Sequence, residues 1–365
     1  MRYTIDKTTG VPAYLQLYRQ VRDDIVGGVY PCGGKLPSKR TVADDAGISS
    51  VTVEHAYALL CDEGYTESRE RSGYFVIFRA DDGFAAPSND APPVRHAGRR
   101  ESSASVDFPF SVLAKTMRRV ISDYGESILD RSPNKGSEEL REAVSRYLAR
   151  SRGIRALPEQ IIIGSGSEYM YNLIVGLLGR NKVYAVETPS YKKIEQVYGS
   201  SGVKLEKLPL GRNGIDSAAL KNCCADVLHI SPYRSYPSGV TASASKRHEY
   251  LRWAARGDRF IVEDDFESEF SLSQKPEETL FSHTDRGNVI YMNTFSMTVS
   301  PSLRAGYTVL PERLAAAFDE RLGFYSCTVP TYVQFVLAEL ISNGDFERHI
   351  NRVRRAERRA LQAEK

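Results

Sequence analysis

Three short stretches of this 365-residue chain carry side chains that could do chemistry. Ser165-Gly166-Ser167 follows the apolar run Ile161-Ile162-Ile163. A strand feeding a small-residue turn before a helix makes an anion cradle from backbone N–H groups and hydroxyls. Glu263-Asp264-Asp265 closes a second apolar run, Phe260-Ile261-Val262, and so sets acids at a strand end. Asn293-Thr294-Phe295-Ser296-Met297-Thr298-Val299-Ser300-Pro301-Ser302-Leu303-Arg304 supplies hydroxyls and a guanidinium around Met297. A thioether cannot form a Schiff base, and no lysine lies between Lys275 and Lys365 to do so instead.

The elements that must hold these residues are short apolar strands alternating with helical patterns from Val106 onward. The strand candidates are residues 161–163, 183–186, 227–230, 260–262 and 289–292. Short buried strands separated by helices predict a mainly parallel α/β sheet. Residues 80–105 (Asp81-Asp82-Gly83, Pro92-Pro93, Arg99-Arg100) have the composition of a mobile linker. The length predicts more than one domain, and 41% hydrophobic residues are enough for sizeable cores. A net charge of +3 is too small for whole-chain attraction to nucleic acid, so any DNA contact must be local. The five cysteines form no CxxC pair and read as reduced packing residues, and the six histidines show no metal-ligand spacing; no metal is expected. No apolar run could span a bilayer and the start is not a signal peptide, which predicts a cytoplasmic protein.

Residues 10–79 carry a separate pattern. Tyr14, Tyr18, Val21 and Ile25 recur at helical spacing up to Gly27-Gly28. Ser38 is placed to cap a short helix running to Ala46, and Ser49 a third helix with Val53, Ala56, Leu59 and Leu60 on one face. Thr66 to Val76 reads as a hairpin. Three helices and a hairpin make a winged helix-turn-helix. In such a module the amino end of the third helix (Ser49, Ser50, Thr52, Glu54) faces base edges. Lys39 and Arg40 would reach phosphates or guanine edges, and Arg69 and Arg71 lie where a wing would touch DNA. The module resembles the GntR-type winged helix through Leu36-Pro37-Ser38-Lys39-Arg40, Gly47-Ile48-Ser49, Thr52-Val53, Glu63-Gly64-Tyr65 and Ser72-Gly73-Tyr74-Phe75-Val76. That family often has arginine where Ser50 stands, a loss of about 1–3 kcal/mol of base discrimination.

The remainder, residues 106–365, resembles the fold-type I aminotransferases. A GntR-type head on such a body is the MocR-type regulator design, whose members use pyridoxal phosphate (PLP) and a small amine or amino acid as signals. The resemblance implies roles at matching positions. Ser165, Gly166 and Ser167, with Thr294, Ser296 and Arg304, would hold the cofactor phosphate. Tyr191, in Thr188-Pro189-Ser190-Tyr191, would stack on the pyridine ring, although it reads equally well as ordinary packing. Asp264 would pair with the ring nitrogen. Four departures stand out. Met297 takes the Schiff-base lysine's place; Phe266 replaces the usual tyrosine; Arg234-Ser235 replace a His-Gln pair; and Val106-Asp107-Phe108 runs directly into Pro109-Phe110-Ser111, where the family has a longer segment. The chain is also expected to lack the family's small carboxy-terminal domain, with the arginine-rich run from Arg348 to Arg359 as a solvated helix face. These features predict a regulator that binds double-stranded DNA, forms a homodimer, stays off membranes, has no catalytic residue, and holds PLP weakly and non-covalently or not at all. A PLP-dependent aminotransferase with a DNA-binding head, and a degenerate dimerising remnant, stand as the alternatives.

Overall fold

The computed structural model describes residues 3–6, 8–79, 108–271, 278–284 and 287–363. The stretch read as a linker, 80–105, lies outside the described residues. The chain forms two compact units, Met1–Arg100 and Glu101–Lys365.

In the first unit α1 (Ala13–Val26), α2 (Lys39–Ala46) and α3 (Ser50–Asp62) precede a hairpin of β1 (Thr66–Arg69) and β2 (Gly73–Val76). The two caps form as the sequence requires. Ser38 accepts from the Thr41 N–H and Ser49 from the Thr52 N–H, each at 3.1 Å. Gly47 ends α2 in the left-handed region (φ 63°), open to glycine without steric cost. The helices close on Leu17, Val21, Val53, Ala56, Tyr57 and Leu60, all fully buried.

The second unit runs α4 (Phe110–Tyr124), α5 (Glu138–Ser151), β3 (Ile161–Gly164), α6 (Ser167–Leu178), β4 (Val183–Thr188), α7 (Lys192–Ser200), β5 (Lys204–Gly211), β6 (Gly214–Ile215) and α8 (Ser217–Asn222). It continues through β7 (Val227–Ile230), α9 (Ala244–Ala254), β8 (Phe260–Asp264), β9 (Val289–Thr294), β10 (Gly306–Val309), α10 (Glu312–Leu322), α11 (Thr331–Ser342) and α12 (Asp345–Ala363). Its eight-stranded sheet has the order β3-β10-β9-β8-β7-β4-β5-β6. The pairs β9-β8-β7-β4-β5 are parallel, while β10 is antiparallel to both neighbours and β6 to β5. The sheet is mainly parallel, and all five apolar runs singled out in the sequence are strands in it. Three further strands escaped that reading: β5 alternates charged and apolar residues, β6 has two residues, and β10 (Gly-Tyr-Thr-Val) lacks a continuous apolar run.

The arginine-rich run is only partly a solvated face. It lies on α12, where Phe346, His349, Ile350 and Val353 are buried and the Arg354 Nε–H donates to the Glu269 carbonyl at 2.6 Å.

Candidate functional site

The first unit presents an exposed surface at the start of α3. Ser49, Ser50, Val51, Glu54 and His55 are exposed there, and Val53, Ala56 and Tyr57 face the core. The hydroxyls of Ser49 and Thr52 lie 2.8 Å apart and serve the cap. The Lys39 ammonium reaches Glu54 at 3.0 Å, and Arg40 is exposed beside it. In the hairpin, Arg69 pairs with Glu67 at 2.6 Å and lies over the Phe75 ring, while Arg71 is exposed at the turn with φ 58°. The sequence reading missed Val51 and His55. Their signal was the helical spacing from the Ser49 cap, which puts 50, 51, 54 and 55 on the face opposite Val53 and Ala56. Val51, 58% exposed, suits apolar contact with a thymine methyl.

The second unit holds a cavity of about 310 Å³ at the carboxyl ends of its parallel strands, where open α/β sheets bind ligands. Glu187 is the second-last residue of β4, His229 and Ser231 come from the end of β7, Asp264 from β8 and Thr294 from β9. Ser167, Tyr191, Asp264, Thr294, Ser296, Met297 and Arg304 all line this cavity. Ser165 and Gly166 do not. The Ser165 N–H donates to Thr328 Oγ1 at 3.2 Å and the Gly166 N–H to the Gly164 carbonyl at 2.9 Å. Gly166 instead lets Arg304 approach: a Cβ there would sit 3.0 Å from Arg304 Nη2.

The floor is acidic. Asp264 is buried and accepts from the Tyr171 hydroxyl at 2.7 Å. Burial, reinforced by Asp264, pushes the Tyr171 phenol well above its usual range, so it remains a donor. His229 Nε2 lies 3.4 Å from Asp264 without a hydrogen bond, and Nδ1 meets the Tyr198 hydroxyl at 2.7 Å. Glu187, fully enclosed, accepts from the Ser235 hydroxyl at 2.6 Å and the Ser231 N–H at 3.2 Å, and burial pushes its carboxyl up to about 7. At the rim, Glu168 binds Arg304 at 2.5 Å and Lys193 at 2.7 Å. Tyr191, Tyr236, Phe266 and Met297 give the cavity apolar walls. Tyr171, Glu187, His229 and Glu168 were missed in the sequence. Glu187 alone had a legible position, as the last acid before Thr188-Pro189.

Residues 13–76 match the family described as bacterial regulatory proteins, gntR family, and residues 104–364 match aminotransferase class I and II. The chain is 32% identical to the HTH-type transcriptional regulator YdeL of Bacillus subtilis, over 97% of this chain and 79% of that protein. It is 30% identical to the probable rhizopine catabolism regulatory protein MocR of Rhizobium meliloti, over 96% and 76%. The chain belongs to the MocR-type, GntR-family regulators. Another member is the pyridoxine biosynthesis regulator PdxR of Corynebacterium glutamicum, 26% identical over 95% of this chain and 76% of its own length. Among solved structures, an archaeal alanine:glyoxylate aminotransferase superposes with a TM-score of 0.62 at 22% identity, over 68% of this chain and 64% of its own. The aminotransferase LysN of Thermus thermophilus gives 0.61 at 28%, over 70% and 66%.

This MocR-type regulator has the fold that holds PLP in aminotransferases, but its side chains do not fit a covalently held, phosphate-anchored PLP. Met297 offers no amine to the cavity, and Phe266 no hydroxyl. Arg304 is already bound to a carboxylate of the chain. The one cavity-lining lysine among the described residues is Lys193; its hydrogen bond to Glu168 raises its pKa, so it is held as an ammonium and not a free nucleophile.

Proposed function

We propose that the chain regulates transcription by binding double-stranded DNA through residues 10–79, joined by residues 80–105 to a ligand-responsive, dimerising body of residues 106–365. The observation that carries this reading is the doubly capped helix pair: Ser38 and Ser49 fix the starts of α2 and α3 and leave Ser50, Val51 and Glu54 exposed at the end that enters a major groove. Lys39, Arg40, Arg69 and Arg71 supply backbone contacts around it. The test is footprinting on the DNA upstream of its own gene; protection of paired half-sites is expected, and binding without sequence preference would refute it.

Homodimerisation is supported by exposed apolar side chains at adjoining loops of the body. Leu129 is 83% exposed and Phe324 75%. Their loops are tied together, Asn134 Nδ2 donating to the Gly323 carbonyl at 3.2 Å and Thr331 Oγ1 to the Asp130 carbonyl at 2.6 Å. Two heads on one dimer would read the two half-sites. The ligand is a small amine or amino acid, and PLP is absent or held weakly without a covalent bond. The site of action is the cytoplasm; among the described residues no helix is long and apolar enough to cross a membrane.

A further inference from the structure

One feature of the cavity disagrees with an anionic, phosphate-bearing guest, and two more call for a cationic or polar one. Its anion cradle is already filled: the Glu168 carboxylate, in the first turn of α6, takes both rim cations, Arg304 and Lys193. A helix amino end and two cations satisfied by an internal acid have little attraction left for an incoming phosphate, which would have to displace or face that acid. Second, the floor carries two buried carboxyls, Glu187 and Asp264, and neither has a lysine or arginine within salt-bridge distance among the described residues. Third, His229 lines the cavity, and its buried Nε2, 3.4 Å from Asp264, has no hydrogen-bond partner, which leaves a polar demand beside that acid. Above this floor stand the aromatic walls Tyr191, Tyr236 and Phe266, whose ring faces favour a cation.

We propose that the cavity binds an unphosphorylated organic cation, an ammonium on an apolar or aromatic body, directly and without a cofactor, and that Glu168 is the residue that turns phosphorylated ligands away. The ammonium sits at the floor between Glu187 and Asp264, where it supplies the positive charge the two acids lack. The apolar body fills the space bounded by Tyr191, Phe266 and Met297. Glu168 stands in for the phosphate that the cradle would otherwise hold. The inference deepens the reading of the body as ligand-responsive, but binding is measured on the protein without DNA, so it stands or falls separately from operator recognition.

The experiment is isothermal titration calorimetry on the full chain with 2-phenylethylammonium, phenylacetate, inorganic phosphate and PLP. Wild type is expected to bind the ammonium and to show no heat with phenylacetate, an anion of similar size. Glu187→Gln and Asp264→Asn, each checked for a cooperative thermal transition, are expected to weaken the ammonium about tenfold or more. Glu168→Gln, checked for the same cooperative transition, is expected to tighten PLP and phosphate about tenfold. Phenylacetate binding as well as the ammonium would overturn the proposal. So would phosphate or PLP binding that is the same in wild type and Glu168→Gln. Footprints retained while the ammonium fails to bind would overturn the ligand assignment alone.

Discussion

The Lys39 ammonium lies 3.0 Å from the Glu54 carboxylate, linking the start of α2 to the exposed face of α3. Both groups are well exposed, so the pair adds little to stability. Its effect falls on DNA, because the Glu54 carboxylate competes with a phosphate for the same ammonium. Glu54→Gln is expected to tighten DNA binding and to steepen log K against log salt by about one unit, the signature of one more neutralised phosphate. An unchanged slope in electrophoretic titrations across salt would show that Lys39 does not reach the backbone.

Arg152 is the centre of a second charged cluster, this one sealed in the protein. Its guanidinium lies 3.3 Å from Asp265 and 3.7 Å from Glu269, and all three side chains are under a tenth exposed. Tyr291 donates to Asp265 at 2.7 Å and Asn293 to Glu269 at 2.8 Å. Burial pushes both carboxyls up, and Arg152 opposes that shift. Removing the cation strands two acids in a dry interior. Arg152→Met is expected to cost about 3–5 kcal/mol by urea denaturation; a loss under 1 kcal/mol would mean that the acids simply take up protons.

Glu187 makes stability depend on pH. Its folded carboxyl is pushed by burial from its ordinary 4.5 to about 7, so the fold favours the protonated form. That contribution is complete below about pH 4.5 and is lost as pH rises through about 7. The loss is on the order of 3 kcal/mol at most. Glu187→Gln, which keeps an acceptor for Ser231 and Ser235, is expected to flatten this part of the profile and to exceed wild type in melting temperature at pH 8. Parallel profiles for the two proteins would rule out the buried acid as the cause.

Met297 and Glu168 line one cavity, and each removes a group that PLP would use. Met297→Lys restores an amine but leaves Arg304 paired. The single variant is therefore expected to form little covalent adduct with added PLP, and Met297→Lys with Glu168→Gln several-fold more. Intact mass after borohydride reduction measures both. Equal adduct in the two variants would show that Glu168 does not guard the cradle.

Much of this molecule could be read from its residues. The five apolar runs are strands because their continuous apolar side chains are buried on both faces of the sheet. Ser38 and Ser49 cap their helices because a hydroxyl at that position satisfies an amide that the helix leaves free. Thr294, Ser296, Met297, Arg304, Tyr191 and Asp264 line one cavity, and in the sequence only the family resemblance groups them. What could not be read depends on distance through space. Glu168 and Arg304 are 136 positions apart, and only the fold brings the acid into the cradle. Tyr171 and His229 look like core residues in the sequence, and only the fold brings α6 and β7 together so that both meet Asp264. Ser165 does not line the cavity: a turn residue near an anion cradle need not face it, and here its own amide donates to Thr328 Oγ1.

Asp264 and Asp265 are consecutive, yet one looks into the cavity and the other into the ion cluster around Arg152. The Glu269 carbonyl in that cluster holds Arg354 of α12. A guest pressing on the first aspartate therefore pushes on a strand tip joined, through one peptide unit and the two arginines Arg152 and Arg354, to the last helix. Occupancy of the cavity thus has a short mechanical route to α12.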